Sequence, residues 1–292
     1  MTAAPDAPFR IVVNERTHLV VESATGRALG GFGATFYRPW VFPLYTPRGL
    51  TVVQEFAFDH PFHNGVFVAQ NPVEFAGGTA NFWAAPPRRS HDDALFAVPP
   101  GRMDTDGDLR SALLPDGARF ALDLTWRDHE ERPVLAERRT VAIYAAAGAT
   151  ICEMATEKTA AHGPLRFPKT KFGSIGIRVE PRLLPPLGGV VVADGARGDA
   201  SAGHETAAAT VAYENGDGVG GRFGVLMSRP DAVAPGPWFI RDYGMALWNP
   251  TWAGEVALAA GDAWRLALRV VAYDGPLDAA RAATWASLPA RV

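Results

Sequence analysis

Residues 118–126 alternate without a break, placing Phe120, Leu122, Leu124 and Trp126 on one side of the backbone. Residues 264–271 do the same, with Leu266, Leu268 and Val270 opposite Arg265 and Arg269. A period of two belongs to an extended strand that buries one face and wets the other. Comparable runs recur near 10–14, 17–21, 50–56, 66–69, 134–145, 149–157, 174–180, 211–214, 222–228 and 238–241. The 30 glycines and 24 prolines fall between such runs and punctuate the chain as turns do. About a dozen strands exceed what one open twisted sheet usually holds, so the expected fold is all-β, a large antiparallel β-sandwich. Only the end reads as helix: from Pro276 to about 288, Leu277, Ala280, Arg281, Thr284, Trp285 and Leu288 repeat at helical spacing. A terminal helix of this kind is expected to lie across a sheet. No linker or repeat interrupts the pattern, so residues 1–292 are expected to form one domain, with 85–94 and 193–210 as surface loops.

A hydrophobic share of 48 % supplies a large core, and 28 basic against 31 acidic residues leave a net charge of −3. No basic stripe runs along any segment, so nucleic acid is not an expected partner. The single cysteine, Cys152, excludes an intrachain disulfide and a cysteine-pair zinc site, and its apolar neighbours mark it as core. Residues 1–10 lack the basic and apolar segments of a signal peptide, and no apolar run approaches the ~20 residues that span a bilayer. A cytoplasmic protein without a membrane partner is expected. Phosphate-binding loops and a Gly-x-Ser-x-Gly elbow are absent, and residues 216–221 read as a hairpin loop.

The polar residues that remain sit at strand ends. His60 and His63 flank Pro61 beside Asp59, just before the apolar run at 66–69. Imidazole titrates close to working pH, so the pair suits acid/base work or the binding of a divalent metal. If 60–63 is extended, the two rings point apart; only a turn at Pro61 brings them together. Arg38 beside Trp40, and Trp83 after Asn81 and Phe82, suit a cleft floor on which a sugar ring stacks, although both tryptophans fit a core equally well. Lys171 and Arg178 bracket a glycine-containing strand and are expected to hold a carboxylate or a developing oxyanion. Glu137 and Asp242 are lone acids near strand ends, placed with the substrate-binding set.

These stretches in this order resemble a bacterial family of unknown function, DUF6807. The matching segments are Arg38-Pro39, Thr46-Pro47-Arg48-Gly49, the segment from Asp59 to Gly65, Phe82-Trp83, Glu137-Arg138, residues 171–179 and Asp242-Tyr243-Gly244. Some members carry the name of a membrane methane-monooxygenase subunit, a name that the missing apolar span makes unsuitable. The resemblance implies a β-sandwich, related in form to mutarotase-like supersandwiches, from carbohydrate-catabolic settings and often beside sugar oxidoreductases. The family usually has His where Phe62 stands and a further His-Gly where Gln70-Asn71 stands, so a site of three or four histidines is not expected. The leading expectation is an isomerase or lyase that moves a proton on a small carbohydrate or keto-sugar, with His60, His63 and Lys171 catalytic. The alternative is a non-catalytic carbohydrate-binding or assembly subunit, and a homo-oligomer suits either.

Overall fold

The computed structural model describes residues 7–34, 37–85, 93–230 and 236–292. Every pairing between its strands is antiparallel, and among the described residues they form sheets of eight, ten and four strands. The eight-stranded sheet runs Phe9–Asn14, Thr17–Glu22, Ala28–Ala34, Pro39–Leu44, Val66–Asn71, Phe172–Arg178, Met245–Trp248, Trp238–Ile240. The ten-stranded sheet centres on the long strands Ala263–Asp274, Ala149–Thr159, Pro133–Ala146 and Gly117–Arg127. The small sheet joins Val256–Leu258, Leu165–Phe167, Val73–Phe75 and Gly78–Ala80.

Strand alternation determines which side chains meet. Val66, Val68, Ile175 and Ile177 from the eight-stranded sheet pack with Phe120, Leu122, Leu124, Val141 and Leu268 from the ten-stranded one in a continuous buried core. The odd-numbered side chains Phe67 and Ala69 emerge on the outer face instead, with Trp40, Leu247 and Phe239. Register lines these up across five strands: Trp40 faces Phe67, Phe67 faces Gly176, Gly176 faces Leu247 and Leu247 faces Phe239. Cys152 lies in the inter-sheet core, where burial pushes its thiol well above the ordinary range. It packs and does not react.

The terminal helix spans Ala279–Ala286, two residues inside the sequence expectation at its end and three at its start, because Asp278 caps it by accepting from the Arg281 amide. It lies on the outer face of the ten-stranded sheet, with Trp285 among Tyr144, Ile151, Val271 and Tyr273. Arg269 is therefore not on a wet face: it is fully buried, bonded to Glu153 opposite it and to the carbonyls of Trp285, Ala286 and Leu288. Residues 50–56 form no ladder; Thr51 and Val53 make isolated bridges to Tyr45 and Val179 before the chain turns into a loop. Of the expected surface loops, 193–210 contains the short strand Ala196–Gly198, and 86–92 lies outside the described residues. Among the described residues no helix is long and apolar enough to cross a membrane.

Candidate functional site

Residues 55–64 form a compact loop whose ends meet, since the Gly65 amide donates to the Gln54 carbonyl at 2.8 Å. Gln54 is itself tied to the sheet by its amide, which donates to the Arg178 carbonyl at 2.8 Å. Gly65 has φ +51°, and a Cβ there would run into the Val41 carbonyl, so only glycine closes the loop at this point. Within the loop, the His63 amide donates to the His60 carbonyl at 3.0 Å, a tight turn with Pro61 second in line. That turn decides the question the sequence leaves open. The two imidazoles stack, centroids 4.8 Å apart and planes 5° from parallel.

Each ring is oriented by a different partner. Asp59 Oδ2 lies 2.8 Å from His60 Nδ1, and Asp59 Oδ1 accepts from Arg178 at 2.7 Å. A carboxylate can only accept, so His60 carries its proton on Nδ1 and presents a lone pair at Nε2. His63 Nδ1 faces the Arg178 guanidinium at 3.4 Å; a guanidinium can only donate, which leaves the proton of His63 on Nε2. Burial, together with the charges of Arg178 and Arg38, holds His63 well below the usual imidazole range. It is therefore neutral. Burial works to raise the Asp59 carboxyl, but the bond to His60 and the adjacent Arg178 outweigh it and hold the group ionised.

Aromatic rings close around the pair. Trp83 meets His63 edge-on at 5.2 Å, Phe67 lies 6.1 Å beneath it, and Tyr243 stacks on His60 at 5.8 Å. Tyr243 also lies 5.0 Å below the Arg178 guanidinium. Arg38 is buried, donates to the Trp83 carbonyl at 2.5 Å and sits over the Tyr37 and Phe67 rings. Trp40 packs against Tyr37 and donates to Glu55 at 2.7 Å. Of the site side chains, His60 is 29 % exposed, whereas His63 is 2 % exposed and its Nε2 has no hydrogen-bond partner among the described residues.

Six sequence-selected residues thus gather on one face: His60, His63, Arg178, Arg38, Trp83 and, one strand away, Trp40. Three do not. Lys171 stands exposed at the far end of the Phe172–Arg178 strand with its ammonium over the Phe172 ring at 4.9 Å, and Phe172 and Trp83 stand between it and His63. Seven residues of strand, roughly 23 Å, separate it from Arg178, the cation that does lie beside the histidines. Glu137 points the other way, into the inter-sheet core, where it binds Arg139 and the Trp126 indole. Asp242 turns outward and accepts from the Ala200 amide at 2.8 Å. The residues that sequence reasoning passed over are Asp59 and Tyr243, each the immediate neighbour of one that was chosen. Their adjacency was visible, but which of two neighbours faces the site depends on the local turn.

The histidine pair does not fit a shared metal ion. An ion bound to an imidazole lies near the ring plane, about 2.0–2.1 Å from nitrogen for zinc. Two parallel stacked rings share no such point, and the Nδ1 atoms already face Asp59 and a guanidinium. Among the described residues no group of three or more potential ligands gathers elsewhere.

Comparison with known proteins bears on the family. The model of the family of unknown function DUF6807 matches residues 33–287, nearly the whole chain. Among solved structures, a galactose mutarotase-like protein from Lactobacillus casei aligns with TM-score 0.36 and 7 % identity, over 90 % of this chain and 99 % of its own. The Slr1438 protein from Synechocystis aligns with TM-score 0.31 and 10 % identity, over 93 % and 99 % respectively. No curated protein matches the sequence. The chain belongs to the DUF6807 family.

Proposed function

We propose that this DUF6807 member is an enzyme that moves a proton on a sugar or keto-sugar, in the manner of a mutarotase or epimerase. The observation that carries the reading is the complementary pair of stacked imidazoles: one offers a lone pair and the other an N–H. His60, oriented by Asp59, takes a proton from an anomeric hydroxyl or from the carbon beside a ketone. With the anomeric hydroxyl, the O–H pair forms the C1 carbonyl as the C1–O5 bond breaks and its electrons go to the ring oxygen; with the keto-sugar, the C–H pair forms an enolate whose charge rests on the carbonyl oxygen. The His63 Nε2–H donates a hydrogen bond to that oxygen. Once C1 has turned its other face to the ring oxygen, or the enolate its other face to the base, the bond re-forms and the proton returns from His60, which leaves no net oxidation and needs no co-reactant. A positioned base typically contributes about 10²–10⁴-fold, and a donor aimed at developing negative charge acts most strongly where water is excluded.

Two further features support this reading. A buried donor without a partner costs about 1–3 kcal/mol; His63 Nε2 is such a donor, and a substrate oxygen satisfies it once the rings enclosing it move aside. Trp83, Phe67 and Tyr243 supply ring surfaces of the kind that pack against the C–H faces of sugars. Arg178 and Asp59 act as positioning residues, since their charges are spent on each other and on the imidazoles.

The test is proton exchange. Free and 3-keto hexoses are incubated with the protein in D2O, and anomer exchange and deuterium uptake are followed by NMR. The wild type is expected to accelerate one of these, and His60→Gln to lose about 10²-fold or more with an unchanged thermal midpoint. Full activity in His60→Gln, or no acceleration by the wild type in either sugar set, sinks the proposal. The second reading, a carbohydrate-binding or assembly subunit, draws on Phe56 and Phe58, 53 % and 86 % exposed on the same loop. Binding without turnover would select it.

A further inference from the structure

We infer that a gap at the edge of the ten-stranded sheet is a binding site for one neutral sugar ring. The site is separate from the histidine loop and does not depend on the proton-transfer reading.

The gap has a topological cause. On its outer edge, the strand Gly117–Arg127 pairs with Arg110–Leu114 along residues 117–121 and with Arg102–Thr105 along residues 124–127. No strand pairs with residues 122–123 on that edge. The turn between the two short strands spans the opening, held where the Asp106 amide donates to the Asp123 carbonyl at 2.8 Å. Behind it lies a cavity of about 510 Å³, within the range of about 300–1,000 Å³ usual for small-molecule sites. Both sheets wall it, with Leu122 and Met103 on one side and His18 and Phe32 on the other.

His18 is the residue that core packing does not explain. It stands opposite Phe32 in register and alternates with the core residue Val20, so its ring points between the sheets, where it meets Phe120 edge-on at 6.2 Å. Alternation calls for an apolar side chain at that position. Instead burial lowers the imidazole below its ordinary range, which leaves it neutral at pH 7, and its Nδ1 has no hydrogen-bond partner among the described residues. Such an atom in a folded protein calls for a reason.

The cavity supplies one. A neutral imidazole both donates and accepts, as a hydroxyl does, and it attracts no charge. Thr105 follows Met103 by two residues and therefore turns its hydroxyl to the same side. At the rim Asp108 is balanced by Arg16, while Asp104 is held by Arg102 at 2.6 Å and Arg127 at 3.2 Å. Apolar walls within and hydroxyl partners at the mouth match a pyranose, whose C–H faces need the first and whose edge needs the second. The histidine loop stands on the opposite face of the eight-stranded sheet, so the two sites do not share a chamber.

The test uses glycosides that the histidine pair cannot turn over, because their anomeric oxygen is blocked: methyl α-D-glucopyranoside, methyl α-D-mannopyranoside and methyl β-D-galactopyranoside. Calorimetry measures binding, and NMR follows the His18 imidazole resonances. At the efficiency ordinary for small ligands, one ring binds with a Kd of about 1 mM. At least one glycoside is expected to bind the wild type near that value and to shift the His18 resonances. Thr105→Trp, which fills the mouth from an exposed position, is expected to weaken binding about tenfold or more at an unchanged thermal midpoint. His18→Leu removes the polar wall without filling the mouth and is expected to weaken it likewise, whereas His60→Gln binds as the wild type does. Binding of none of the three glycosides, or wild-type binding in both Thr105→Trp and His18→Leu, overturns the inference. Loss confined to His60→Gln places the ring at the histidine loop and overturns it equally.

Discussion

Lys158 is a buried cation whose placement costs the fold stability. It is fully buried between the sheets opposite Glu137, and its ammonium faces the Trp264, Trp126 and Phe167 rings at 4.6, 5.6 and 5.9 Å without a hydrogen-bond partner among the described residues. Burial pushes it down to about 7, against support from Glu137 and with Arg139 adding to the depression. Glu137 offers little more, because Arg139 and Trp126 already occupy both its oxygens. The unfolded chain holds this proton up to the ordinary lysine value of 10.5, the folded chain only to about 7. Between those values the unfolded state binds more protons, so stability rises with pH across that window and the full penalty applies below it. Lys158→Met leaves Glu137 satisfied and is expected to stabilise the protein by about 1–4 kcal/mol at pH 7, with the gain shrinking toward pH 10. Urea midpoints at the two pH values measure this; a variant less stable at pH 7 refutes it. Glu137 shares that inter-sheet position: the sequence places it near a strand end as a ligand candidate, whereas it lies inside the Pro133–Ala146 strand, in a buried pair with Arg139 and away from the histidine loop.

At the scale of elements, the terminal helix depends on an ion pair in the strands beneath it. Arg269 and Glu153 stand opposite each other in neighbouring strands, both fully buried, and Arg269 spends its remaining donors on three carbonyls at the end of the helix. Glu153 also accepts from the Tyr144 hydroxyl and the Arg291 amide. Cations near a helix C-terminus are favourable, and removal of one partner from a buried pair costs about 3–5 kcal/mol. Arg269→Met is expected to lose stability in that range and to speed amide exchange within 276–292 more than in the central strands. Uniform exchange along the chain would show that the pair does not hold the helix. The helix itself was legible from its spacing and from Pro276 at its start; the Asp278 cap and the face it covers were not. Alternation assigned Arg265 and Arg269 alike to solvent, and only the helix packed above shows that one of them lies inside.

For the whole molecule, the inter-sheet core decides how it unfolds. Residues from Phe9 near the start to Ala272 near the end share one buried cluster, contributed by both large sheets. A core with no seam between sequence halves should melt once, as a single domain does. Calorimetry is expected to give one transition with equal calorimetric and van't Hoff enthalpies; two resolved transitions would divide the chain into separate units. That same stacking exposes two outer faces, one covered by the terminal helix and the other carrying the histidine loop.

Alternation and turn residues were enough to determine an all-β chain of paired sheets with a closing helix, because side-chain period is a local property of the backbone. They also put His60 and His63 forward as candidates, since few residue types titrate near working pH, and Arg178 as a fixed cation beside them. The rings' stacking, the choice of Arg178 over Lys171, and the turn of Glu137 and Asp242 away from the site were left to the tertiary structure. Those outcomes depend on a tight turn, on register between strands distant in sequence, and on which face another element covers. No single segment contains that information.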